Sequence, residues 1–252
     1  MIQLKSKEEI ALLEESGAIL ASVLRELSSM AKEGVSLNTL DARARMMASD
    51  ADATPTFLGY KPDGAQRSFP AAICASLNDV VVHGVPNERV LKSGDVLKID
   101  MGITYQGMIT DSAVTVIVGS VPSHVRMLVD ATAHALERAI EVSKEGNTLG
   151  DIGYVIAQTA QEAGVKVLKD LTGHGVGYEL HEDPVIFNVG KRGESVTLKE
   201  GMVLAIEPMF ALGSEHIIQR DDDSYAVQDG SVSAHFEHSI AITQEGPIVL
   251  TA

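Results

Sequence analysis

The chain has 252 residues, of which 45% are hydrophobic, so it is long enough to bury a core and form one large domain. Its formal net charge of −15 and its lack of tryptophan argue against nucleic-acid binding, and the negative charge also disfavours anionic membranes. With one cysteine, Cys74, the chain cannot form an internal disulfide, which fits a reducing compartment.

Two helices are predicted ahead of any strand. Ser6 and Glu9 form the pattern of a capping box at a helix start, apolar residues then recur at helical spacing, and Gly34 is the predicted stop. The same periodicity predicts a second helix over residues 37–51. The dipeptide Thr54-Pro55 is typical of a loop, which separates this helix pair from the following strands.

Strands are predicted next, and a second helix pair follows them. Gly102 and Gly107 flank a predicted hairpin turn between two of the strands. Gly146 ends a helix whose apolar face covers residues 125–140, and strand patterns resume near Val165. The predicted strands cover residues 69–77, 80–83, 96–101 and 109–118, and the fourth predicted helix covers residues 149–163.

A short repeat relates the two parts of the chain. Residues 33–37, Glu-Gly-Val-Ser-Leu, resemble residues 145–149, Glu-Gly-Asn-Thr-Leu, and each segment lies between two predicted helices that precede strands. This order predicts an α+β fold with two similar halves, about 1–118 and 119–252. Because no low-complexity linker separates the halves, we expect a single domain over residues 1–252, with its functional site between them.

Two aspartates are predicted to approach each other across the hairpin. Asp100 follows the apolar run at 96–99, Asp111 lies on the next strand, and a hairpin can place both carboxylates on one face. Two like charges that lie close together are costly unless a cation sits between them. The alternative is that both aspartates are solvated residues of a turn or an edge strand.

Three histidines stand close to glycine. His174 and His181 belong to the segment GHGVGYELHEDP, in which glycines allow the backbone to approach a ligand closely. A neutral imidazole is a good metal ligand or hydrogen-bond partner, although a flexible loop with incidental histidines is the alternative here. His83 ends an apolar strand at a Gly/Pro turn, where a lone histidine is more often structural.

Two glutamates adjoin apolar strands. Glu207 follows the run MVLAI and Glu237 precedes the run SIAI. A buried glutamate needs a partner, and the alternative is a strand-end glutamate that reaches solvent. Together with Asp100, Asp111 and His174 these residues offer four carboxylates and one imidazole, a donor set suited to two divalent cations. Such a pair of cations would activate a water molecule and polarise a carbonyl group.

Five motifs in this order resemble the type I methionine aminopeptidases, a family with the pita-bread fold, over nearly the whole chain. The motifs read NDVVVHGVP, DVLKIDMGITYQGMITDSAVT, GHGVGYELHEDP, GMVLAIEPMF and SAHFEHSIAIT. The resemblance implies a cytoplasmic hydrolase that removes the initiator methionine with the help of two divalent metal ions. It leaves the metal open among cobalt, manganese, iron, zinc and nickel.

By this resemblance the metal ligands are Asp100, Asp111, His174, Glu207 and Glu237. Two of them, Asp111 and Glu237, correspond to ligands that bridge both ions. Glu207 also corresponds to the proposed proton-transferring carboxylate, and His83 and His181 correspond to histidines that contact the substrate without binding metal. The pocket for the methionine side chain would use Phe57, Tyr60, Cys74, Leu180 and Tyr225.

The sequence departs from the family pattern in the pocket and beside one glutamate. Phe57 stands where cysteine is frequent, Leu180 stands where phenylalanine is usual, and Tyr225 aligns near a common tryptophan, which leaves the pocket shape open. His235 stands where glutamine is frequent, two residues before Glu237, and the resemblance assigns it no role.

Two other functions share most of these features. A proline-specific aminopeptidase or a prolidase of the same fold would have the same five ligands, and the stretch DMGITYQGMITD leans toward those relatives. The turn at residues 83–86 and the short chain lean toward methionine removal. A non-enzymatic binding protein of this fold would normally lack some of the metal ligands, and none is missing here.

The expected partners are the N-termini of peptides and nascent chains, with transient contact to the ribosome implied by such substrates. We expect a monomer without a nucleic-acid substrate. We also expect no membrane association, because no apolar run is long enough to cross a bilayer and the first residues lack a signal-peptide pattern.

Overall fold

The computed structural model describes residues 1–61 and 67–252. Within these residues two helix pairs alternate with two groups of strands, so the predicted α+β class is confirmed. None of the described helices combines the length and the apolar composition that crossing a bilayer requires. The helices are α1 (Lys7–Met30), α2 (Leu37–Asp50), α3 (Ser123–Val142) and α4 (Leu149–Ala163).

The strands of the described residues are short except for one long hairpin. They are β1 (Thr54–Pro55), β2 (Cys74–Leu77), β3 (Val80–Val82), β4 (Val96–Tyr105), β5 (Met108–Ile117), β6 (Lys166–Val167), β7 (Thr172–Gly175), β8 (Glu182–Phe187), β9 (Val203–Ile206), β10 (Met209–Ala211), β11 (Ile217–Gln219), β12 (Tyr225–Val227), β13 (Ser233–His235), β14 (Glu237–Thr243) and β15 (Gly246–Val249).

One antiparallel sheet runs through both parts of the chain. Its strand order is β1-β4-β5-β14-β9-β7-β8, with β2 also paired to β4 and β15 also paired to β14. The pairing of β5 with β14 joins the first group of strands to the second. Two three-stranded sheets, β13-β10-β6 and β11-β12-β3, lie beside it. The face of the large sheet therefore collects side chains from distant parts of the sequence.

The helix starts follow from local hydrogen bonds. The Glu9 backbone N–H donates to the Ser6 side chain, and the Ser6 backbone N–H donates to the Glu9 carboxylate, so the predicted capping box is confirmed. Thr148 and Asp151 form a second capping box at α4. That helix ends at Gly164, whose left-handed backbone, with φ of 71°, satisfies the last carbonyl groups.

The sequence repeat corresponds to a repeated hydrogen-bond pattern. The Gly34 N–H donates to the Leu91 carbonyl at 3.0 Å, and the Gly146 N–H donates to the Leu198 carbonyl at 3.1 Å. Both glycines have a positive φ, near 90°, which side-chain-bearing residues rarely adopt. In both halves, therefore, the junction between the two helices forms the same backbone hydrogen bond to a segment that follows the helix pair in sequence.

Each helix pair has its own apolar core. Leucines of α1 and α2 pack with β4, and those of α3 and α4 pack with β9 and β14. A third cluster contains residues of both halves and includes Leu13, Phe57, Cys74 and Leu180. The last three of these residues also line the main cavity, so the cavity wall is supported by its own core.

Three local predictions were wrong. Thr54-Pro55 is an edge strand, β1, rather than a loop, and an edge is where a sheet tolerates proline. Gly102 lies inside β4, where a methyl group would be only 3.1 Å from the Phe57 ring. The hairpin turn is formed by Gln106 and Gly107 instead. The strand predicted from residue 69 begins only at Cys74. The backbone of Phe69 is instead hydrogen-bonded to Gly59 and Tyr60, outside the sheet.

Gly17 is a point where α1 approaches another segment too closely for a side chain. A methyl group there would lie 2.0 Å from the Leu250 carbonyl oxygen. Gly17→Ala should therefore lower the free energy of unfolding by about 2 kcal/mol, since overpacking outweighs the gain of about 1 kcal/mol in helix propensity. Urea denaturation would measure this change, with Ala18→Ser on the exposed face of α1 as the control. A variant as stable as the parent would contradict the close contact.

Candidate metal centre

The β4–β5 hairpin places two carboxylates on one face of the large sheet. Gly102 pairs with Asp111, and Asp100 pairs with Ala113, so the two aspartates lie two positions apart on neighbouring strands. Asp100 is 8% exposed and Asp111 is 4% exposed, which excludes the alternative that both are solvated. Asp100 lies within β4 rather than at the end of a strand, because that strand continues to Tyr105.

Two glutamates reach the same region from the second half of the chain. Glu237 begins β14 and pairs with Ala113, the residue that Asp100 faces on the other side. Glu207 directly follows β9, and both glutamates are buried. The Ser112 hydroxyl donates to the Glu237 carbonyl at 2.6 Å, which fixes β14 against β5. Strand pairing therefore brings together three carboxylates within β4, β5 and β14 and a fourth, Glu207, at the end of β9.

His174 lies in β7 between two glycines that the packing requires. A methyl group on Gly173 would lie 2.4 Å from the Ala205 carbonyl oxygen, and one on Gly175 would lie 2.2 Å from the Asp183 carbonyl oxygen. The His174 Nδ1 lies 2.9 Å from the Gly175 carbonyl, which requires a proton on Nδ1. The unprotonated nitrogen of the ring is then Nε2, whose lone pair is available to bind a metal ion.

The free nitrogen of His174 faces the carboxylates. Its Nε2 lies 3.5 Å from Glu207 Oε1 and 3.9 Å from Asp111 Oδ2. These separations exceed a hydrogen bond, yet two ligand atoms that share one cation can lie up to about 4.2 Å apart. His174, Asp111 and Glu237 offer one ligand atom each within 4.8 Å of one another.

The electrostatics of the cluster call for added positive charge. Burial raises the pKa of Asp111 to about 7, and burial together with the Asp111 charge raises the pKa of Asp100 well above its usual range. Burial, followed by the charges of the aspartates, also raises the pKa of Glu207 and of Glu237. Burial lowers the pKa of His174 to about 3, so its imidazole contributes no positive charge.

The described residues also leave donor atoms without partners. Within residues 1–61 and 67–252, Asp100 Oδ1 and Glu237 Oε1 are buried without a hydrogen bond. Among the same residues, the basic side chains within 4.0 Å of Asp111, Glu207 and Glu237 are those of His174 and His235, which are neutral because burial lowers their pKa values to about 3. Buried polar atoms are normally satisfied. Oxygen-rich donors with an imidazole match the chemistry of divalent metals, so the residues fit such a cofactor.

One cavity of about 1890 Å³ opens over this cluster. It is large enough for several amino-acid residues, and its wall includes every residue that the sequence analysis assigned to a site. These residues are Phe57, Tyr60, Cys74, His83, Asp100, Asp111, His174, Leu180, His181, Glu207, Tyr225 and Glu237.

His181 and His83 lie on the cavity wall and remain open to it. The Tyr60 hydroxyl lies 2.8 Å from His181 Nδ1, and the His181 ring packs edge-on against His174 at 4.5 Å between centroids. His83 has a φ of 60°, an uncommon backbone for histidine, and its ring packs against Tyr225. Desolvation of the rings by the surrounding cavity wall lowers the pKa of His83 to about 4 and lowers that of His181 below its usual value. Both imidazoles are therefore neutral at pH 7.

The pocket residues assigned by resemblance fall into two groups. Phe57, Cys74 and Leu180 are buried in one apolar cluster, and Tyr60 packs against it. Tyr225 belongs to a different cluster, beside β3 and His83. Burial raises the pKa of the Cys74 thiol, so this side chain is a neutral, polarisable wall of the cavity.

A buried ion pair that the sequence analysis missed supports the loop of His181. Lys5 Nζ and the Glu182 carboxylate form an ion pair with side chains 1% and 5% exposed. The other Glu182 oxygen accepts the Tyr178 backbone N–H at 2.6 Å. The pair thus joins the segment before α1 to the loop that carries His181. No local pattern reveals a contact between residues this far apart in sequence.

His235 is a second residue that the sequence analysis left without a role. It is 1% exposed, and its Nε2 lies 3.6 Å from Glu207 Oε2 and 3.9 Å from Glu237 Oε2. Burial lowers the pKa of its imidazole to about 3. The available signal was its position two residues before Glu237, next to an apolar strand.

Comparison with known proteins gives one consistent family. Residues 11–244 match the Metallopeptidase family M24. The chain is 43% identical to a methionine aminopeptidase of Aquifex aeolicus, covering 99% of this chain and 98% of that protein. It is 38% identical to methionine aminopeptidase 1 of Bacillus subtilis, covering 100% of this chain and 99% of that protein.

Solved structures agree with the sequence relatives. A methionine aminopeptidase from Rickettsia prowazekii superposes with a TM-score of 0.95 at 35% identity, covering 100% of both chains. One from Thermotoga maritima gives 0.95 at 39% identity, covering 100% of this chain and 99% of that one. A prolidase from Pyrococcus furiosus gives 0.77 at 24% identity and is covered over 65% of its length, which shows a shared fold alone.

Proposed function

The chain belongs to metallopeptidase family M24 and, within it, to the methionine aminopeptidases, and we propose that it removes the initiator methionine from the N-termini of new proteins. It is a metal-dependent hydrolase of the pita-bread fold, as the sequence predicted. The observation that carries the proposal is the buried cluster of four carboxylates and His174 at the wall of the large cavity.

We propose that the cluster holds two divalent cations, with Asp111 and Glu237 as the shared ligands. Support comes from the raised carboxylate pKa values, the unpartnered oxygens and the free Nε2 of His174. When bound, the cations offset the carboxylate charge and supply Lewis-acid polarisation of the scissile carbonyl group. The proposed ligands are Asp100, Asp111, His174, Glu207 and Glu237.

Glu207 is proposed to move the proton during hydrolysis. Its carboxylate lines the cavity and is buried among Asp100 and Asp111, and this environment raises its pKa. A carboxylate with a raised pKa can accept a proton from the attacking water and return it to the leaving amine near neutral pH. The Asn188 side chain donates to the Glu207 backbone carbonyl at 3.0 Å and holds this position of the chain.

The remaining wall residues are proposed to bind the substrate. His181 and His83, both neutral, can donate hydrogen bonds to the substrate and to the charge that develops on it. Phe57, Cys74 and Leu180 form an apolar surface that suits a thioether side chain, with Tyr60 at its border. Tyr225, beside His83, is proposed to bound the cavity on the side of β3.

His181→Ala should lower kcat/KM for a methionyl peptide by about a hundredfold, as expected for loss of one donor to the developing charge. The bound metal content should stay unchanged, because His181 is not a proposed ligand. Steady-state kinetics and elemental analysis of the same sample would measure both. His134→Ala, at an exposed position on α3, is the control. Loss of metal in His181→Ala would contradict this assignment.

The proposed specificity is tested with paired peptides. Metal-reconstituted protein should release methionine from Met-Gly-Met and should leave an X-Pro dipeptide intact. The alternative, a proline-specific aminopeptidase or prolidase, predicts the reverse order of rates. Its support is the shared fold and the stretch DMGITYQGMITD. Cleavage of X-Pro at the higher rate would overturn the proposed function.

We further propose that residues 1–252 act as one catalytic domain, and as a monomer. Asp100 and Asp111 come from the first half, and His174, Glu207 and Glu237 come from the second, so one chain supplies all five proposed ligands.

Initiator methionine removal implies action in the cytoplasm on chains emerging from the ribosome. Sedimentation of the active protein would test the monomer, and co-sedimentation with ribosomes would test the contact.

A further inference from the structure

His235 is held behind the proposed metal centre by its own backbone. The Thr115 hydroxyl donates to the His235 carbonyl at 2.6 Å, and the His235 backbone N–H donates to the Thr115 hydroxyl at 3.0 Å. The residue ends β13, two positions before β14 begins at Glu237. The side chain is only 1% exposed, so the ring is enclosed by protein, next to the carboxylates of Glu207 and Glu237.

Both ring nitrogens of His235 lack a hydrogen-bond partner among the described residues. A buried imidazole without any partner is unusual and calls for an explanation. Its Nε2 lies 3.6 Å from Glu207 Oε2 and 3.9 Å from Glu237 Oε2, too far for hydrogen bonds. Both distances are below the separation of about 4.2 Å that two ligand atoms on one cation can reach.

The two oxygens of Glu207 face two different imidazoles. Oε1 lies 3.5 Å from the His174 Nε2, and Oε2 lies 3.6 Å from the His235 Nε2. Glu237 also belongs to both groups, because its carboxylate can join Asp111 and His174 or join Glu207 and His235 within 4.8 Å. The five-ligand assignment uses only the first imidazole and leaves the second without a function.

We propose that His235 is a sixth protein ligand, so that each of the two cations is bound by one imidazole: His174 on one and His235 on the other. This inference rests on the proposed metal centre and extends it. A second nitrogen donor favours cobalt, nickel and zinc over manganese more strongly than a site with one imidazole. With both cations bound, each would have one nitrogen ligand in addition to the carboxylates of the cluster.

The test compares the parent protein with His235→Gln, which keeps a polar side chain and removes the imidazole. Both are loaded with zinc, and X-ray absorption at the zinc edge measures the imidazole contribution per metal ion. We expect the variant to show about half of the parent's contribution. A cobalt titration of the metal-free proteins should also show one of two binding steps weakened by about tenfold or more, since lost support at a metal site costs about that much.

His238→Gln is the matched control. His238 stands three residues further along, but its Nδ1 lies 2.8 Å from the Thr251 hydroxyl. It should therefore keep the parent's imidazole contribution and both binding steps. Should His235→Gln fail to fold, His235→Asn replaces it in the same comparison.

The outcomes separate this inference from the proposed function. An unchanged imidazole contribution in folded His235→Gln overturns the role of His235, even if its metal affinity falls. A parent protein that binds two zinc ions with a single imidazole between them also overturns it and leaves the proposed function standing. A parent protein that binds no metal would overturn both.

Discussion

Asp111→Asn is expected to lower kcat/KM for a methionyl peptide by about a thousandfold or more. The Asp111 carboxylate lies at the middle of the cluster, 4% exposed, and is the proposed shared ligand of both cations. An amide has the same shape but no charge to hold them. Weakening the electrostatic stabilisation of the transition state by about 4 kcal/mol corresponds to that rate loss. Stopped assays of methionine release would measure it.

The same variant should lose metal without losing its fold. Its bound metal, measured by elemental analysis after dialysis, should fall below that of the parent. Its metal-free form should be as stable as the parent or more stable, because one of four mutually repelling carboxylates has been removed. Asp130→Asn, an exposed change on α3, is the control and should alter neither property. A fully active Asp111→Asn with normal metal content would exclude the proposed centre.

The metal-free protein should become less stable as the pH rises from about 6.5 to 8.5. The folded-state pKa of Asp111 is raised to about 7, and those of Asp100, Glu207 and Glu237 are raised well above their usual values. The folded state then binds more protons than the unfolded chain, so the free energy of unfolding falls with pH. One net proton corresponds to about 1.4 kcal/mol per pH unit, which is the minimum slope expected.

Groups with lowered pKa values act in the opposite direction and define this window. His174 and His235 have folded-state pKa values near 3, so they add stability as pH rises, but only up to the histidine value of 6.5. Lys98, with its pKa lowered to about 7, opposes the trend above that pH by at most one proton. The carboxylates outnumber it, so the net slope stays negative.

Added divalent metal should remove this slope and raise the stability. Cations that bind only the folded state contribute about 4 kcal/mol at a thousandfold excess over the dissociation constant. Urea denaturation at pH 6.5, 7.5 and 8.5, with chelator or with manganese, would measure both effects. Metal-free Asp111→Asn should show a shallower slope than the parent. Equal slopes with and without metal would contradict the cluster as the origin of the pH dependence.

Local chemistry explains which parts of the fold were predictable. The capping box at Ser6 and the periodicity of the four helices depend on residues close in sequence, and these elements appear as predicted. The hairpin placed Asp100 and Asp111 on one face for the same reason. The strand role of Thr54-Pro55 was missed, because pairing with β4 decides it rather than the dipeptide itself.

The parts of the site that were missed depend on contacts between distant segments. Lys5 meets Glu182 across most of the chain, and nothing near either residue announces an ion pair. His235 gains its meaning only when β9 brings Glu207 beside it. Tyr225 was grouped with the apolar pocket by resemblance, whereas pairing of its strand with β3 places it next to His83. Sequence thus supplied the donors, and tertiary packing decided their neighbours.

The pairing of β5 with β14 has a consequence for the motions of the protein. This pairing joins the two halves of the sheet and lies beside Asp111 and Glu237, one from each half. Any local opening that separates the two strands would also pull the proposed ligands apart and release the cations. Bound cations should therefore suppress such sub-global openings. The amide hydrogens of both strands should then exchange with solvent more slowly than in the metal-free protein, and at similar rates.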